Sequence, residues 1–144
     1  PSAEKDQAST RMAISAFRDM LARYPKGKSA DKARERLDES RRKLANHEMY
    51  VARFYFARER YAAAVSRANG LVRDYPGLGL DAEALMLAAR GHRRLGDEDK
   101  ARTTWQRLKS EQPDSAEAAE AVNLLGEFGP RQPPHHHTPS VDRE

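Results

Sequence analysis

The sequence predicts an all-α fold: a superhelix of antiparallel helix pairs, about five to six helices in all, one of them long. Three observations predict it. A spacing occurs three times: an Ala, a ring or small residue four further on, a Leu or Met after three more, and a Pro twelve residues beyond the Ala. The sets are Ala13, Phe17, Met20, Pro25; Ala64, Ala68, Leu71, Pro76; and Ala101, Trp105, Leu108, Pro113. Self-similarity of this kind is the mark of a repeat architecture. Between these sets apolar residues keep returning at three- and four-residue intervals, the period of one helix face. Much of the 38% apolar fraction is Ala, which suits helices packed closely through small side chains.

The first helix runs over residues 1–24, with Met12, Ala13, Ala16, Phe17, Met20, Leu21 and Tyr24 as its apolar stripe and Pro25 and Gly27 as its stop. It reads as the second helix of a repeat whose first helix is missing, so its stripe should be partly bare. Ser29 is a candidate N-cap, able to accept from the free N–H groups of the next helix. From there to about Arg58 no Pro or Gly interrupts, which gives a helix of roughly 45 Å. Its apolar line is Ala33, Leu37, Leu44, Val51, Phe54 and Tyr55. The middle, Asp38 to Lys43, is polar on nearly every face, and i,i+4 pairs of Asp38 with Arg42 and Glu39 with Lys43 would support it. Such a stretch bridges solvent or meets a partner.

A turn at Arg58–Arg60 leads into a helix over Tyr61 to Asp74. Asp81 then caps a helix ending at Leu95, Gly96-Asp97 make the turn, and Glu98 to Glu111 return. Pro113-Asp114-Ser115 break and recap the chain before a closing helix over Ala116 to Phe128. Residues 1–128 thus form one helical repeat domain. Residues 129–144, PRQPPHHHTPSVDRE after Gly129, are Pro-rich without apolar period and read as a disordered tail.

Charged residues make up 33% of the chain and are interspersed, the pattern of solvated helix faces. The net charge of +4 and a pI near 9.5 permit an acidic partner. Interspersed acids and few aromatics speak against nucleic acid. With no Cys there is no disulfide frame, thiolate metal site or thiol nucleophile. No run approaches the roughly 20 apolar residues of a membrane span. The opening Pro-Ser-Ala, without an initiator Met or signal peptide, reads as a processed product or a fragment.

Catalytic chemistry finds no footing. His135, His136 and His137 lie together without a scaffold to space them as ligands, so no metal site is expected. His92 reads as a substitute for a repeat ring residue. Gly77-x-Gly79 lacks the third Gly and the preceding strand of a phosphate fingerprint. No nucleophile–base pair is evident, and neither an enzyme nor a cofactor is expected.

The repeat arithmetic does yield candidate partner-binding residues. Met49 and Met86 each stand 27 residues before a terminal Pro, and Arg53 and Arg90 each stand 23 before it. If the first helices line a concave face, they present a Met–Arg ladder with Arg93 beside it. Adaptable thioethers next to guanidinium groups suit an amphipathic peptide carrying a carboxylate.

The Ala, aromatic, Pro spacing resembles the second helix of a tetratricopeptide repeat, with Leu85, Ala89, His92 and Gly96 on first-helix positions. The resemblance implies a right-handed superhelix. A narrower one lies in R-x-x-L-A-x-x-E-x-x-V-A-x-F-Y (Arg41 to Tyr55), the long helix before it, and A-A-x-x-x-R-x-x-x-L-x-x-x-Y-P (Ala63 to Pro76, with one shifted position). From Ala13 to Leu108 the chain resembles the C-terminal half of the BamD family, tetratricopeptide lipoproteins of the outer-membrane β-barrel assembly machinery. That resemblance implies a non-catalytic scaffold on the periplasmic face of the outer membrane. It implies a lipid anchor in a longer chain. Its expected partners are a POTRA domain of the barrel subunit and accessory lipoproteins. It places Arg67 on the POTRA-docking surface, where a guanidinium can hold a carboxylate bidentately. The other reading is a generic tetratricopeptide adaptor that takes a peptide in its concave groove.

Overall fold

The computed structural model describes residues 2–128. The expected tail, with its three histidines, lies outside the described residues. Six helices follow one another: α1 (Ser2–Arg23), α2 (Lys28–Ala57), α3 (Tyr61–Asp74), α4 (Asp81–Arg94), α5 (Glu98–Glu111) and α6 (Ala116–Phe128). No strand occurs among the described residues. Each helix packs on its neighbours in sequence, and α4 also touches α2 and α6. Thus α2, α4 and α6 form one layer and α3 and α5 back it, the stacking of a tetratricopeptide-like repeat.

The close packing comes from alanine. Ala52, Ala68, Ala84, Ala88, Ala89, Ala101 and Ala121 are fully enclosed, and the spaces between these seams are filled by Met49, Leu71, Leu85, Trp105 and Leu108. The repeat register is visible in the fill: Ala68 of α3 and Trp105 of α5 are 37 residues apart and both fully buried. One repeat closes with a methyl where the next uses an indole.

Helix α2 belongs to two packing centres. Its N-terminal half buries Ala30 and Ala33, Leu44 is enclosed near its middle where Ile14 of α1 shares a cleft with it, and its C-terminal half sets Met49 and Ala52 into the main core. The polar middle between them is held differently from the expected i,i+4 pairs, neither of which forms. Arg42 Nη1 donates to the Leu78 carbonyl at 3.0 Å, and Arg41 Nη2 to the Asp74 carbonyl at 3.4 Å. The middle of α2 is therefore tied to the end of α3 and the loop after it. Carbonyls left open past a helix end are natural acceptors for such cations.

Helix ends follow the punctuation, with two corrections. Asp97 and Ser115 cap α5 and α6, accepting from Lys100 N–H at 3.2 Å and Ala118 N–H at 3.0 Å. Ser29 does not cap α2, which starts one residue earlier behind Gly27 at φ 104°. Asp81 is the first residue of α4 rather than its cap. Its Oδ2 accepts from Gly77 N–H at 2.8 Å and so closes the loop onto the helix. In α1, Ile14 and Thr10 are the enclosed positions, Thr10 donating to the Asp6 carbonyl at 2.7 Å, while Met12 and Tyr24 are 73% and 66% exposed.

The α2–α3 and α4–α5 turns are one structure built twice, 37 residues apart. Glu59 and Gly96 donate to the Phe56 and Arg93 carbonyls, and Arg60 and Asp97 to the Tyr55 and His92 carbonyls, all at 2.9–3.0 Å. Both central residues are left-handed, Gly96 at φ 79° and Glu59 at φ 59°. A side chain there costs about 1–2 kcal/mol relative to the right-handed well, so Glu59 marks the more strained copy.

Gly91 lies buried where α4 crosses α3, and a methyl on it would overlap Val65 Cγ2. Val is stiff in a helix and cannot swing aside. Gly91→Ala gains about 1 kcal/mol of helix propensity but overpacks at a cost of about 1–3 kcal/mol. We expect urea unfolding to show net destabilisation by Gly91→Ala, and a gain from the same change in a Val65→Ala background. Equal effects in both backgrounds would remove the clash as the cause.

Candidate functional site: the exposed face of α2, α4 and α6, and Arg67

The two arginines aligned by the repeat stand on the layer of first helices, and each bridges to the next one. Arg53 of α2 pairs with Glu83 of α4, its Nε donating to Oε1 at 2.7 Å. Arg90 of α4 pairs in turn with Glu120 of α6. Both arginines and both glutamates are 37 residues apart (53 to 90, 83 to 120), so one ion pair is repeated along the solenoid. All four side chains are about half exposed, in the range of 40–53%. Pairs of this kind contribute about 0–1 kcal/mol each, because water screens them and long side chains lose freedom. They align neighbouring helices while keeping their charges within reach of solvent.

The methionines of the expected ladder do not share that exposure. Met49 is 1% and Met86 4% exposed, and both belong to the main core. Repeat equivalence places them correctly relative to each other, but their thioethers fill the joint between repeats. Met86 still reaches the floor of a cleft of ≈ 230 Å³, walled by Phe56, Glu83, Leu87, Arg90 and Glu117. A second cleft of ≈ 580 Å³ adjoins it, lined by Phe56, Arg90, Arg93 and Arg94. Arg94 lies 6.0 Å from the Tyr61 ring centroid, and Arg58 lies over Phe54 at 3.4 Å.

Arg67 projects from α3 on the other side of α2. Its Nη1 donates to Glu48 Oε2 at 3.3 Å and to Oε1 at 3.5 Å. Arg67 is 48% exposed and Glu48 21%. The guanidinium is thus steered by an acid that is itself partly enclosed, while about half of the arginine side chain stays open to solvent. Neither the repeat arithmetic nor the helical period singles out Glu48, yet it supplies Arg67 with its partner.

No group of acidic or His residues is arranged to hold a metal among the described residues. No described helix is long and apolar enough to cross a membrane. His92 sits at the end of α4, its pKa lowered chiefly by burial, with Asp97 raising it and Lys100 lowering it. A neutral His is favoured in the fold, so the unfolded chain binds the extra proton first as pH falls. Stability then declines through and below the ordinary His range of about 6.5. Thermal unfolding between about pH 7 and pH 5 should show this decline, and His92→Gln should make it shallower. An unchanged slope would clear His92 of the effect.

One family and three relatives match the chain. The family model described as YfiO, outer membrane lipoprotein, matches residues 2–108. The outer membrane protein assembly factor BamD of Xylella fastidiosa (strain 9a5c) is 30% identical over 110 residues, which is 76% of this chain and 38% of the relative. BamD of Neisseria meningitidis serogroup A is 30% identical over 112 residues, 78% of this chain and 42% of the relative. BamD of Caulobacter vibrioides is 28% identical over 127 residues, 88% of this chain and 42% of the relative. The chain spans about two fifths of the length of the curated relatives it matches.

Proposed function

The chain belongs to the YfiO family of outer membrane lipoproteins, and from that premise we propose that it is a non-catalytic docking scaffold in outer membrane protein assembly. It works on the periplasmic face of the outer membrane, held there by the lipid anchor of a longer protein. Its partners are proteins: a POTRA domain of the barrel-assembly subunit and accessory lipoproteins. The observation that carries this reading is the family match over residues 2–108, which spans α1 to α4 and nearly all of α5, and with them Arg67 and the two-centred helix α2.

Arg67 is the proposed contact for the POTRA domain. Its pair with Glu48 costs little to share, since a half-exposed ion pair is worth at most about 1 kcal/mol. An incoming carboxylate can take the free edge of the guanidinium, shed water, and gain the strength of a charge-assisted bidentate bond. Arginines so placed are frequent hot spots, worth about 2 kcal/mol or more, which is roughly thirtyfold in affinity. The arginines of the α2–α4–α6 face, Arg53, Arg90 and Arg93, form a second surface. It supports the reading as an adaptor for a peptide, whether within the assembly machinery or in another cell-envelope role.

The test is a titration of this chain with the barrel-proximal POTRA domain of the same genome. Arg67→Glu is titrated in parallel, after circular dichroism shows both proteins folded. The substitution sets a carboxylate against Glu48 and should weaken binding at least tenfold. Binding untouched by it would keep the scaffold and move the interface. An absence of binding by both proteins at high micromolar concentration would end the docking reading.

A further inference from the structure

The two clefts of the α2–α4–α6 face share Phe56 and Arg90, so they form one continuous groove. Its two ends have opposite charge. Toward the N-terminus of α4 stand Glu83 and Glu117; toward its C-terminus stand Arg90, Arg93 and Arg94, with Glu120 held against Arg90. Between them the floor is apolar, made by Phe56, Met86 and Leu87. The separation follows the α4 macrodipole, which favours acids at the start of the helix and cations at its end. That is why the fold tolerates so polarised a groove.

We propose that this groove seats a segment of a partner protein that is itself polarised, acidic at one end, apolar in the middle and basic at the other. The inference rests on the docking reading above and names the chemistry that its peptide surface accepts. Charge complementarity sets the order. Arg94 and Glu117 have no ion-pair partner among the described residues, and they stand at opposite ends. An acid on the segment meets Arg94 beside Arg93, and a base meets Glu117. Glu83 keeps its pair with Arg53 in the same wall as Glu117, and Glu120 keeps its pair with Arg90. An apolar residue between the ends leaves water for the Phe56, Met86 and Leu87 floor.

The length follows as well. From Glu83 to Arg94 is eleven residues of helix, about 16 Å. An extended segment covers that distance in about five residues at roughly 3.3 Å each. A polyanion fits poorly, because Glu83 and Glu117 repel it at one end of the groove. The same argument disfavours nucleic acid and an anionic bilayer.

The test uses fluorescein-labelled synthetic peptides and anisotropy. One peptide is the block sequence Asp-Asp-Leu-Phe-Lys-Lys, one is a scramble of the same composition with alternating charge, and one is acidic throughout. Phosphatidylglycerol vesicles are added as a separate arm. The block peptide should bind at least tenfold more tightly than the scramble. Arg93→Glu/Arg94→Glu should weaken it at least fivefold, Glu117→Lys should weaken it in the same sense, and Arg67→Glu should leave it unchanged. Each variant is first checked by circular dichroism. Equal binding of block and scramble, no binding of either, preference for the acidic peptide, or uptake by the vesicles alone would each overturn the proposal. POTRA binding with the peptide rejected removes this inference alone. Peptide binding with POTRA rejected removes the POTRA contact and leaves the groove.

Discussion

Everything in this fold depends on the distance between helices, and alanine sets it. A helix whose buried face is mostly Ala lets its neighbour approach closely, and the fully enclosed Ala52, Ala64, Ala68, Ala84, Ala88, Ala89 and Ala101 run along the α2–α3–α4–α5 joints. Gly91 takes the closest approach, where even a methyl is too much. Close seams leave little room for large side chains, so the core holds one Trp and a few Leu and Met. They also keep packing local, because each helix meets its sequence neighbours and, in the first-helix layer, one further helix. Stability in such arrays is close to a sum of unit and nearest-neighbour terms. A local architecture leaves the outer faces unconstrained by folding, and there the charged third of the sequence is arranged.

The arrangement is economical about polar groups. Arg41 and Arg42, in a stretch of α2 with no apolar face, reach backbone carbonyls at the end of α3 and in the loop after it. Their donors satisfy acceptors that a helix end and a loop would otherwise leave to water. The long helix is therefore tethered across its exposed middle, between its two packing centres. It is fastened to the loop that Asp81, the first residue of α4, closes by accepting from Gly77 N–H. The same logic governs the Arg53–Glu83 and Arg90–Glu120 pairs, which couple first helices across a groove that apolar contacts alone would leave loosely aligned.

The helices were legible in the sequence because punctuation is a local property. Pro25, the Arg58–Arg60 turn, Tyr75-Pro76, Gly96-Asp97 and Pro113 mark helix ends that agree with the structure to within a residue or two. Faces were less legible, because periodicity says which residues share a side but not which side meets a neighbour. Met49 and Met86 are equivalent, as the 37-residue register requires, yet they face inward. In α1 the expected stripe is partly buried at Ala13, Phe17, Met20 and Leu21 and bare at Met12, while Thr10 and Ile14 take the enclosed positions. Thr10 escaped notice because a Thr can bury itself by bonding its own helix. The cross-helix acids were within reach of the same arithmetic. Glu83 and Glu120 repeat at the interval of Arg53 and Arg90, and a conserved offset of 30 residues between opposite charges is the trace of the pair. Glu48 had no such trace, since its partner lies 19 residues away on the next helix and the pair occurs once. Nothing short of packing α3 on α2 shows it.

The two candidate surfaces meet on one helix, which bears on how they relate. Glu48 and Arg53 are five residues apart on α2, about 140° around a helix of 3.6 residues per turn. One points to α3 and Arg67, the other to α4 and Glu83. Between them lie Met49 and Ala52, at 1% and 0% exposure, driven into the core like pins. For binding at one surface to alter the other, α2 would need a second arrangement whose population both partners bias. Rolling α2 by even a fraction of a turn would drag Met49 out of its enclosure and open a cavity. Leaving that side chain unpacked costs about 2–5 kcal/mol, as much as the typical coupling between allosteric sites or more. The helix is accordingly a fixed partition. It holds two charged surfaces at a set angle, and two partners on them would bind additively.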